Sequence, residues 1–163
     1  MLSGAQLGVF DMNAGSVCKR GVVTVGPTDD LIAAAHLMRE KHVGYLIVSE
    51  MSGPPEKHKR VVGVLTDRDI VVAVLAQEVD AHALKVGDVM TRNPLLIDEA
   101  QSIEAVLRHM REAGVRRVPV VDRSGALTGV LSIDDVLEHI AEQLINIAGS
   151  IRNEQRMERA VRQ

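Results

Sequence analysis

Two short stretches pair a hydroxyl with a carboxylate at a spacing that suits either a helix start or a sugar. In "GVLTDRDI", Asp69 follows Thr66 by three residues, and in "GVLSIDDV", Asp135 follows Ser132 at the same spacing. Such a pair forms a capping box, in which both side chains bond free backbone N–H groups of the first turn. The same pair could offer a carboxylate to two ribose hydroxyls beside a helix N-terminus that attracts phosphate. Both interpretations stay open on these residues alone.

The two stretches belong to an internal repeat. "AAAHLMREKHVGYLIVSE" (33–50) aligns without a gap on "AVLRHMREAGVRRVPVVD" (105–122), at a constant offset of 72 residues. The first copy then carries the longer loop "MSGPPEKHKR" where the second has "RSGAL", so the offset between the hydroxyl–carboxylate stretches falls to 66. Because self-similarity of this kind defines the folding unit, the chain is expected to consist of two equivalent halves.

Each copy predicts the same order of elements. An amphipathic helix is indicated by apolar residues at i, i+3, i+4 and i+7, which are Leu31, Ala34, Ala35 and Met38 in one copy and Ile103, Val106, Leu107 and Met110 in the other. Asp30 and Ser102 are its candidate N-caps, and Gly114 is a candidate stop. Short Val- and Ile-rich runs flank the helix as buried strands, and a second helix follows. The fold class is therefore α/β (α+β), with two β-α-β-β-α repeats whose β-α-β part requires parallel neighbours.

The expected organisation is a pseudo-two-fold pair of repeats, because one copy is too small to bury a sufficient core alone. Its parts are an N-terminal extension (1–14), the first repeat (15–76), a linker (77–85), the second repeat (86–145) and a C-terminal helical tail (146–163).

The tail extends a helical pattern that begins in the second repeat. Ile140, Leu144, Ile147 and Ile151 step by four and three residues, the spacing of a stripe that packs on another helix. Gly149 is expected to interrupt or bend this helix. An exposed apolar stripe needs a partner, so a homodimer is expected through this tail or through faces of the repeats.

Composition excludes several classes of function. The net charge of −3 gives no general attraction to nucleic acid or to anionic lipid, and two aromatic residues, Phe10 and Tyr45, leave little for stacking bases. No apolar run approaches the length of a membrane span, and Cys18 is the only cysteine, so a cytoplasmic location is expected. Cys18 is expected to be a small buried residue. The six histidines show no metal-ligand spacing, and no catalytic constellation is present, so neither a metal site nor an enzyme is expected.

The ordered motifs resemble a tandem pair of cystathionine-β-synthase-type (CBS) domains, often called a Bateman module. In the first repeat the matching stretches are "TVGPTDDLIAAAHLMREKHVGYLIVSE" and "GVLTDRDIV". In the second they are "VGDVMTRNP", "AVLRHMREAGVRRVPVVD" and "GVLSIDDVL". The resemblance covers residues 15–145 without an accompanying catalytic domain, which implies a stand-alone module.

The resemblance implies that adenosine-containing ligands bind in clefts between the paired repeats. It places ribose hydroxyls on Asp69 and Asp135, and phosphate or ribose on Thr66 and Ser132.

The resemblance also implies that an arginine near the start of the central strand binds phosphate, from the repeat opposite the ribose aspartate. Arg116 and Arg117 match that place, whereas the first repeat has the uncharged Gly44 and Tyr45. We therefore expect one dominant site, that of Asp69, and a second cleft that binds phosphate poorly or stays empty. Adjacent strand residues face opposite sides, so one arginine is expected to face the cleft and the other to be solvated or ion-paired.

The expected function is that of a regulatory module which binds AMP, ADP or ATP and transmits occupancy to an unidentified partner protein. No obligatory cofactor and no membrane association are expected. NADH and S-adenosylmethionine are further candidate ligands. The alternatives are a structural interaction module without a nucleotide and, less favoured by the sequence, a nucleic-acid-binding protein that uses the basic run "EKHKR" (56–60) and the arginines of the tail.

Overall fold

The structure is a computed structural model that describes residues 12–51 and 58–161, with side chains up to residue 158. The predicted N-terminal extension up to residue 11, which contains Phe10, lies outside the described residues. So do most of the longer loop and part of the basic run "EKHKR".

In the described part of the first repeat and its lead-in there are three strands and three helices. In chain order they are α1 (Ala14–Val17), β1 (Thr24–Val25), α2 (Leu31–Lys41), β2 (Tyr45–Met51), β3 (Lys59–Thr66) and α3 (Asp67–Ile70). A π-helical turn, Val71–Leu75, extends α3. A single 3₁₀ turn, Ala81–Ala83, lies in the predicted linker.

The second repeat contains four strands and three helices. They are α4 (Val86–Val89), β4 (Thr91–Arg92), β5 (Ile97–Asp98), α5 (Ile103–Ala113), β6 (Arg117–Val121), β7 (Leu127–Ser132) and α6 (Ile133–Val161). Helix α6 runs through Gly149 without interruption, so the predicted interruption there is wrong, and the alternative of a bend stays a prediction. Among the described residues, no helix is long and apolar enough to cross a membrane.

Two sheets repeat one topology. In the first, with the order β1-β2-β3-β4, β1 runs parallel to β2, and β2 and β3 form an antiparallel hairpin. In the second, with the order β5-β6-β7, the pairings are again parallel and then antiparallel. Helices α2 and α5 connect the parallel strands, which confirms the predicted mixed α/β fold of two β-α-β-β-α units with a C-terminal helix.

The helix ends show which capping predictions hold. Gly114 ends α5 in the left-handed region at φ 67°, and His42 ends α2 at φ 53° at the equivalent position. The Ser102 hydroxyl accepts a hydrogen bond from the Ala105 N–H at 3.3 Å. Asp30 stands at the N-cap of α2 but makes no capping bond with its side chain, because its carboxylate pairs with Lys85 Nζ at 2.6 Å.

The segment that leads into each repeat packs on the other repeat. Ala14 and Val17 of α1 belong to the apolar core of the second repeat, whereas Val86 and Val89 of α4 belong to that of the first. The strand pairing is crossed in the same way. β4 pairs with β3, and Lys19 exchanges two backbone hydrogen bonds of 2.9 Å with Val130 of β7. The two repeats are therefore interlocked.

Two glycines allow this close crossing. A Cβ on Gly63 of β3 would lie 2.5 Å from Met90 Sδ, and one on Gly129 of β7 would lie 2.7 Å from Cys18 Sγ. The half-buried Cys18 thus fills the space above Gly129, and burial raises the pKa of its thiol. This agrees with the predicted packing role.

A third apolar cluster joins the two sheets. Its buried members are Ile47 of β2, Val61 of β3 and Val121 of β6, so both repeats contribute. Val61 lies near the start of β3 and Val121 at the end of β6, so burial of these side chains holds those two ends together. Tyr45, which packs against the cluster, also lines the cleft described next.

Candidate functional site

A cleft of about 680 Å³ opens between the two repeats at the end of β3. The first repeat contributes Gly44, Tyr45, Val64 and residues 66–69, and the second contributes Thr91, residues 93–95, 113–117 and Pro119. Four of the residues predicted to form the dominant site, Thr66, Asp69, Arg116 and Arg117, therefore line one cavity. Its volume falls in the range of small-molecule pockets.

The wall from the first repeat is the start of α3. Thr66 and Asp69 form the predicted capping box: the Thr66 hydroxyl accepts a hydrogen bond from the Asp69 N–H at 3.1 Å. The Asp69 carboxylate accepts one from the Thr66 N–H at 2.8 Å. The Thr66 hydroxyl also donates to the carboxylate at 2.8 Å. The local sequence explains this geometry, since an extended strand ends at a hydroxyl residue and a helix begins with acidic residues.

All the carboxylate bonds in this box use one oxygen of Asp69. Both Thr66 atoms contact Oδ2, and no described residue bonds Oδ1. The box therefore supports the helix start while the second carboxylate oxygen keeps its capacity to accept hydrogen bonds from a ligand. The capping and ligand interpretations are thus compatible.

The opposite wall supplies positive charge. Arg116 and Arg117 both line the cleft, and Arg68 of α3 joins them. Of the two adjacent arginines, Arg116 precedes the first residue of β6 and is the exposed one with an ion-pair partner, as expected for one of them. Arg116 also lies 3.5 Å from the exposed Asp134 carboxylate, a contact that solvent screens.

The equivalent place in the first repeat is narrow and carries no cationic side chain of its own. A Cβ on Gly44 would lie 2.5 Å from Asp67 Oδ2, so glycine is what lets that carboxylate lie against β2. Tyr45 lies in the same cleft, and burial raises the pKa of its phenol, so it stays a neutral donor. The prediction that Gly44 and Tyr45 bring no cation holds for these two positions.

Aliphatic side chains form much of the remaining lining of the cleft, beside the polar Thr91 and Asn93. They are Val64, Leu95, Val115 and the two prolines Pro94 and Pro119. Such a surface can contact both faces of a flat ring by dispersion and burial rather than by aromatic stacking. The cleft thus combines a free carboxylate oxygen, three guanidinium groups and an apolar slot.

The second copy of the box has the same internal geometry. The Asp135 carboxylate accepts a hydrogen bond from the Ser132 N–H at 2.9 Å, and the Ser132 hydroxyl accepts one from the Asp135 N–H at 3.1 Å. Unlike Asp69, Asp135 is buried, with 7% of its surface exposed. Its Oδ1 lies 2.6 Å from Lys19 Nζ. Both carboxylate oxygens are therefore engaged by the chain itself.

The ion pair with Lys19 favours the charged form of the Asp135 carboxylate. Burial alone would raise the pKa of Asp135, but hydrogen bonds from Lys19 and Ser132 outweigh it and hold the pKa below its usual range. The same contact raises the pKa of Lys19. The sequence predicted only that the positions matching Arg116 and Arg117, Gly44 and Tyr45, bring no cation to this box; Lys19 of the lead-in segment, which was not predicted, brings one.

Sequence reasoning missed Lys19, although the repeat contained the signal. At the offset of 72 residues, Lys19 corresponds to Thr91, which lines the open cleft. The next pair confirms the equivalence: Arg20 donates to the Gly15 carbonyl at 3.2 Å, and Arg92 donates to the Gly87 carbonyl at 2.7 Å. The two copies differ at this position. Lys19 occupies the second carboxylate oxygen of Asp135, whereas the second oxygen of Asp69, on the side of Thr91, bonds no described residue.

Metal binding finds no support in the described part of the chain. Across residues 12–51 and 58–158, His, Cys, Asp and Glu side chains form no group of three or more that could hold an ion.

Comparison with known proteins agrees with this architecture. The family model described as "CBS domain" matches the chain twice, over residues 14–76 and 86–142. An uncharacterised protein of Methanopyrus kandleri is 28% identical over 78% of the chain, which spans 62% of that protein's length. Hypoxic response protein 1 of Mycobacterium tuberculosis is 35% identical over 81% of this chain and 87% of its own.

A solved structure extends the likeness to the fold. The CBS domain protein of Pyrobaculum aerophilum, complexed with AMP, superimposes with a TM-score of 0.67 at 27% identity, over 76% of this chain and 89% of that one. The two family matches cover both interlocked repeats and the cleft between them. The chain therefore belongs to the CBS-domain family, as a tandem pair of CBS domains.

Proposed function

We propose that this CBS pair binds an adenine nucleotide of the AMP, ADP or ATP class in the Asp69 cleft and transmits its occupancy to a partner protein. The observation that carries the proposal is the convergence of an unused carboxylate oxygen and three arginines from opposite walls of one 680 Å³ cavity. The protein acts as a cytoplasmic, homodimeric regulator rather than as an enzyme, without an obligatory cofactor.

The charges of the cleft favour a phosphorylated ligand. The lining contains three arginines, Arg68, Arg116 and Arg117, and two carboxylates, those of Asp67 and Asp69, which leaves one net positive charge before the Asp134 carboxylate beside Arg116 is counted. A guanidinium group binds phosphate through two parallel hydrogen bonds. The first N–H groups of α3 already donate within the chain, to the Gly44 carbonyl, the Asp67 carboxylate and the Thr66 hydroxyl, so the arginines supply the donors for phosphate. Asp69 Oδ1, which bonds no described residue, can accept a ribose hydroxyl.

The aliphatic lining favours a flat, uncharged base at the other end of the cleft. Val64, Val115 and Pro119 provide such a surface, and Tyr45 is the one aromatic side chain among the residues that line the cavity. The AMP complex of the Pyrobaculum aerophilum relative supports an adenosine-type ligand for a cleft of this fold.

Transmission follows from the construction of the cleft. Asp69 belongs to the first repeat and Arg116 and Arg117 to the second, so a ligand that bridges them stabilises one relative position of the two repeats. Occupancy shifts the conformational balance only by the difference in ligand affinity between the two arrangements. The partner protein reads that difference.

Titration calorimetry with AMP, ADP and ATP tests the proposal. Asp69→Ala should weaken the binding of the preferred nucleotide at least tenfold, because hydrogen bonds to a charged group contribute about 1.5–3 kcal/mol each. Asp135→Ala is the matched control, since it removes the same kind of capping box and should leave the affinity within about twofold.

The outcomes separate the alternatives. Equal losses from both variants would contradict the assignment of the site to the Asp69 cleft. No heat with any of the three nucleotides, together with an unchanged thermal midpoint, would contradict nucleotide binding and favour an interaction module.

A further inference from the structure

Helix α6 carries an apolar stripe that the rest of the described chain leaves uncovered. Val136 is the last buried residue of the helix, and every later side chain up to residue 158 is exposed or half-buried. At 1.5 Å per residue, the part beyond Val136 extends for about 37 Å. The stripe, named here the α6 seam, consists of Leu137, Ile140, Leu144, Ile147 and Ile151, each 44–61% exposed.

The spacing of the α6 seam is that of a coiled coil. Its residues follow one another at intervals of three, four, three and four, so they occupy the a and d positions of two heptads. The flanking e and g positions between them are Ala141, Gln143, Ala148 and Ser150, which carry no charge. Like charges at these positions would oppose self-pairing, and none is present. The seam is therefore complementary to a second copy of itself.

The charges of α6 are separated along its length. Its beginning holds four acidic residues and no Lys or Arg; Asp134 and Asp135 lie beside Arg116 and Lys19, which leaves Glu138 and Glu142 without a cation among the described ion pairs. Residues 143–151 carry no charge at all. The part that follows, residues 152–161, holds three arginines and two glutamates. A parallel pair would place the acidic beginnings side by side, whereas an antiparallel pair places each beside the positive end of its partner.

We propose that α6 pairs with the α6 of a second copy of this chain as an antiparallel coiled coil. Its layers place Leu144 of one protomer beside Ile147 of the other and Ile140 beside Ile151. The centre of the pair then lies within the charge-free segment, where no charged group is removed from water. This surface is separate from the cleft, so its test does not depend on the proposed nucleotide.

Light scattering on adjacent substitutions tests the use of the seam. Leu144→Asp should weaken self-association at least tenfold, because it places a charge in the central layer of the pair. Ile145→Asp is the matched control, since Ile145 is as exposed as Leu144, at 65% against 61%, but lies outside the seam. The mass should fall with the first variant only. A monomeric unmodified chain, or the same mass for both variants, would overturn the proposal.

Spin labels test the direction of pairing. In a Cys18→Ser background, labels introduced by Arg156→Cys should lie about 32 Å apart along the axis of an antiparallel pair, and side by side in a parallel one. Labels introduced by Asn146→Cys lie close together in either direction, so they report contact alone. Short distances for both positions would overturn the antiparallel arrangement. Long distances for both would mean that another protein or another face covers the seam.

Discussion

The two hydroxyl–carboxylate boxes have nearly the same internal geometry but different surroundings. In both, the carboxylate accepts from the backbone N–H of the hydroxyl residue, at 2.8 Å in the first box and 2.9 Å in the second. The difference lies in the residue that the crossing lead-in segment brings alongside: Thr91 near the first box and Lys19 beside the second. Helix capping is thus shared by the copies, and the neighbouring residue decides whether a carboxylate oxygen stays available.

The largest expected effect on this comparison is the loss of nucleotide affinity when an arginine of the cleft is replaced. Arg116→Ala and Arg117→Ala should each weaken nucleotide binding at least tenfold, because each removes a charged donor from the cleft. Arg123→Ala serves as the control, since it removes an exposed arginine that does not line the cleft. Titration calorimetry measures the three affinities. Unchanged binding in both cleft variants would break the proposed difference between the copies.

A smaller effect is expected from the lysine that closes the second box. Lys19→Ala frees Asp135 Oδ1, so a second binding event should appear, at least tenfold weaker than the first because no arginine matches Arg116 and Arg117 there. Binding at the Asp69 cleft should stay within about twofold. If titration still shows a single event, Lys19 is not what keeps the second box closed.

The smallest effect is on stability and its dependence on pH. The folded-state pKa of Asp135 is lowered, so its contribution to the free energy of unfolding is present above the ordinary value of about 3.9 and is lost as the pH falls through the folded-state pKa. Asp135→Asn should therefore reduce the free energy of unfolding by about 1–3 kcal/mol at pH 7. Urea denaturation should show this difference shrinking below about pH 4.

The matched control for this last effect is Asp134→Asn. Asp134 is the adjacent residue and is exposed, with one long contact to Arg116, which is also exposed, so its replacement should change stability little at either pH. A difference for Asp135→Asn that persists unchanged at low pH would show that the ion pair with Lys19 is not its source.

Much of the fold could be predicted from the sequence because the same helix and strand signals occur in both repeats. The periodicity of Leu31 to Met38 and of Ile103 to Met110 locates α2 and α5, and Gly114 marks the end of α5. These are local signals, and the structure confirms them. The residues that meet in the Asp69 cleft could also be named, because the family resemblance supplies a pairing across repeats that spacing alone does not contain.

The sequence predictions that failed concern side chains whose partners lie in distant segments of the chain. The side chain of Asp30 pairs with Lys85 instead of capping α2, and Lys19 reaches Asp135 only because the lead-in segment crosses to the other repeat. Neither partner follows from hydrophobic periodicity. The predicted interruption at Gly149 failed for a different reason. One glycine inside a helix costs about 1 kcal/mol of helix stability, which the neighbouring residues of α6 can offset.

Because α1 and α4 cross, the core of each repeat is completed by the lead-in segment of the other. A single repeat has a vacant place in its core that only the lead-in segment of another copy fills, as Ala14 and Val86 do here. Two separate copies would therefore exchange these segments, and their fold would depend on concentration. Joining them through residues 77–85 makes the exchange intramolecular, at an effective concentration on the order of millimolar. Within one chain the two copies need not be identical, and Lys19 and Thr91 are one such difference.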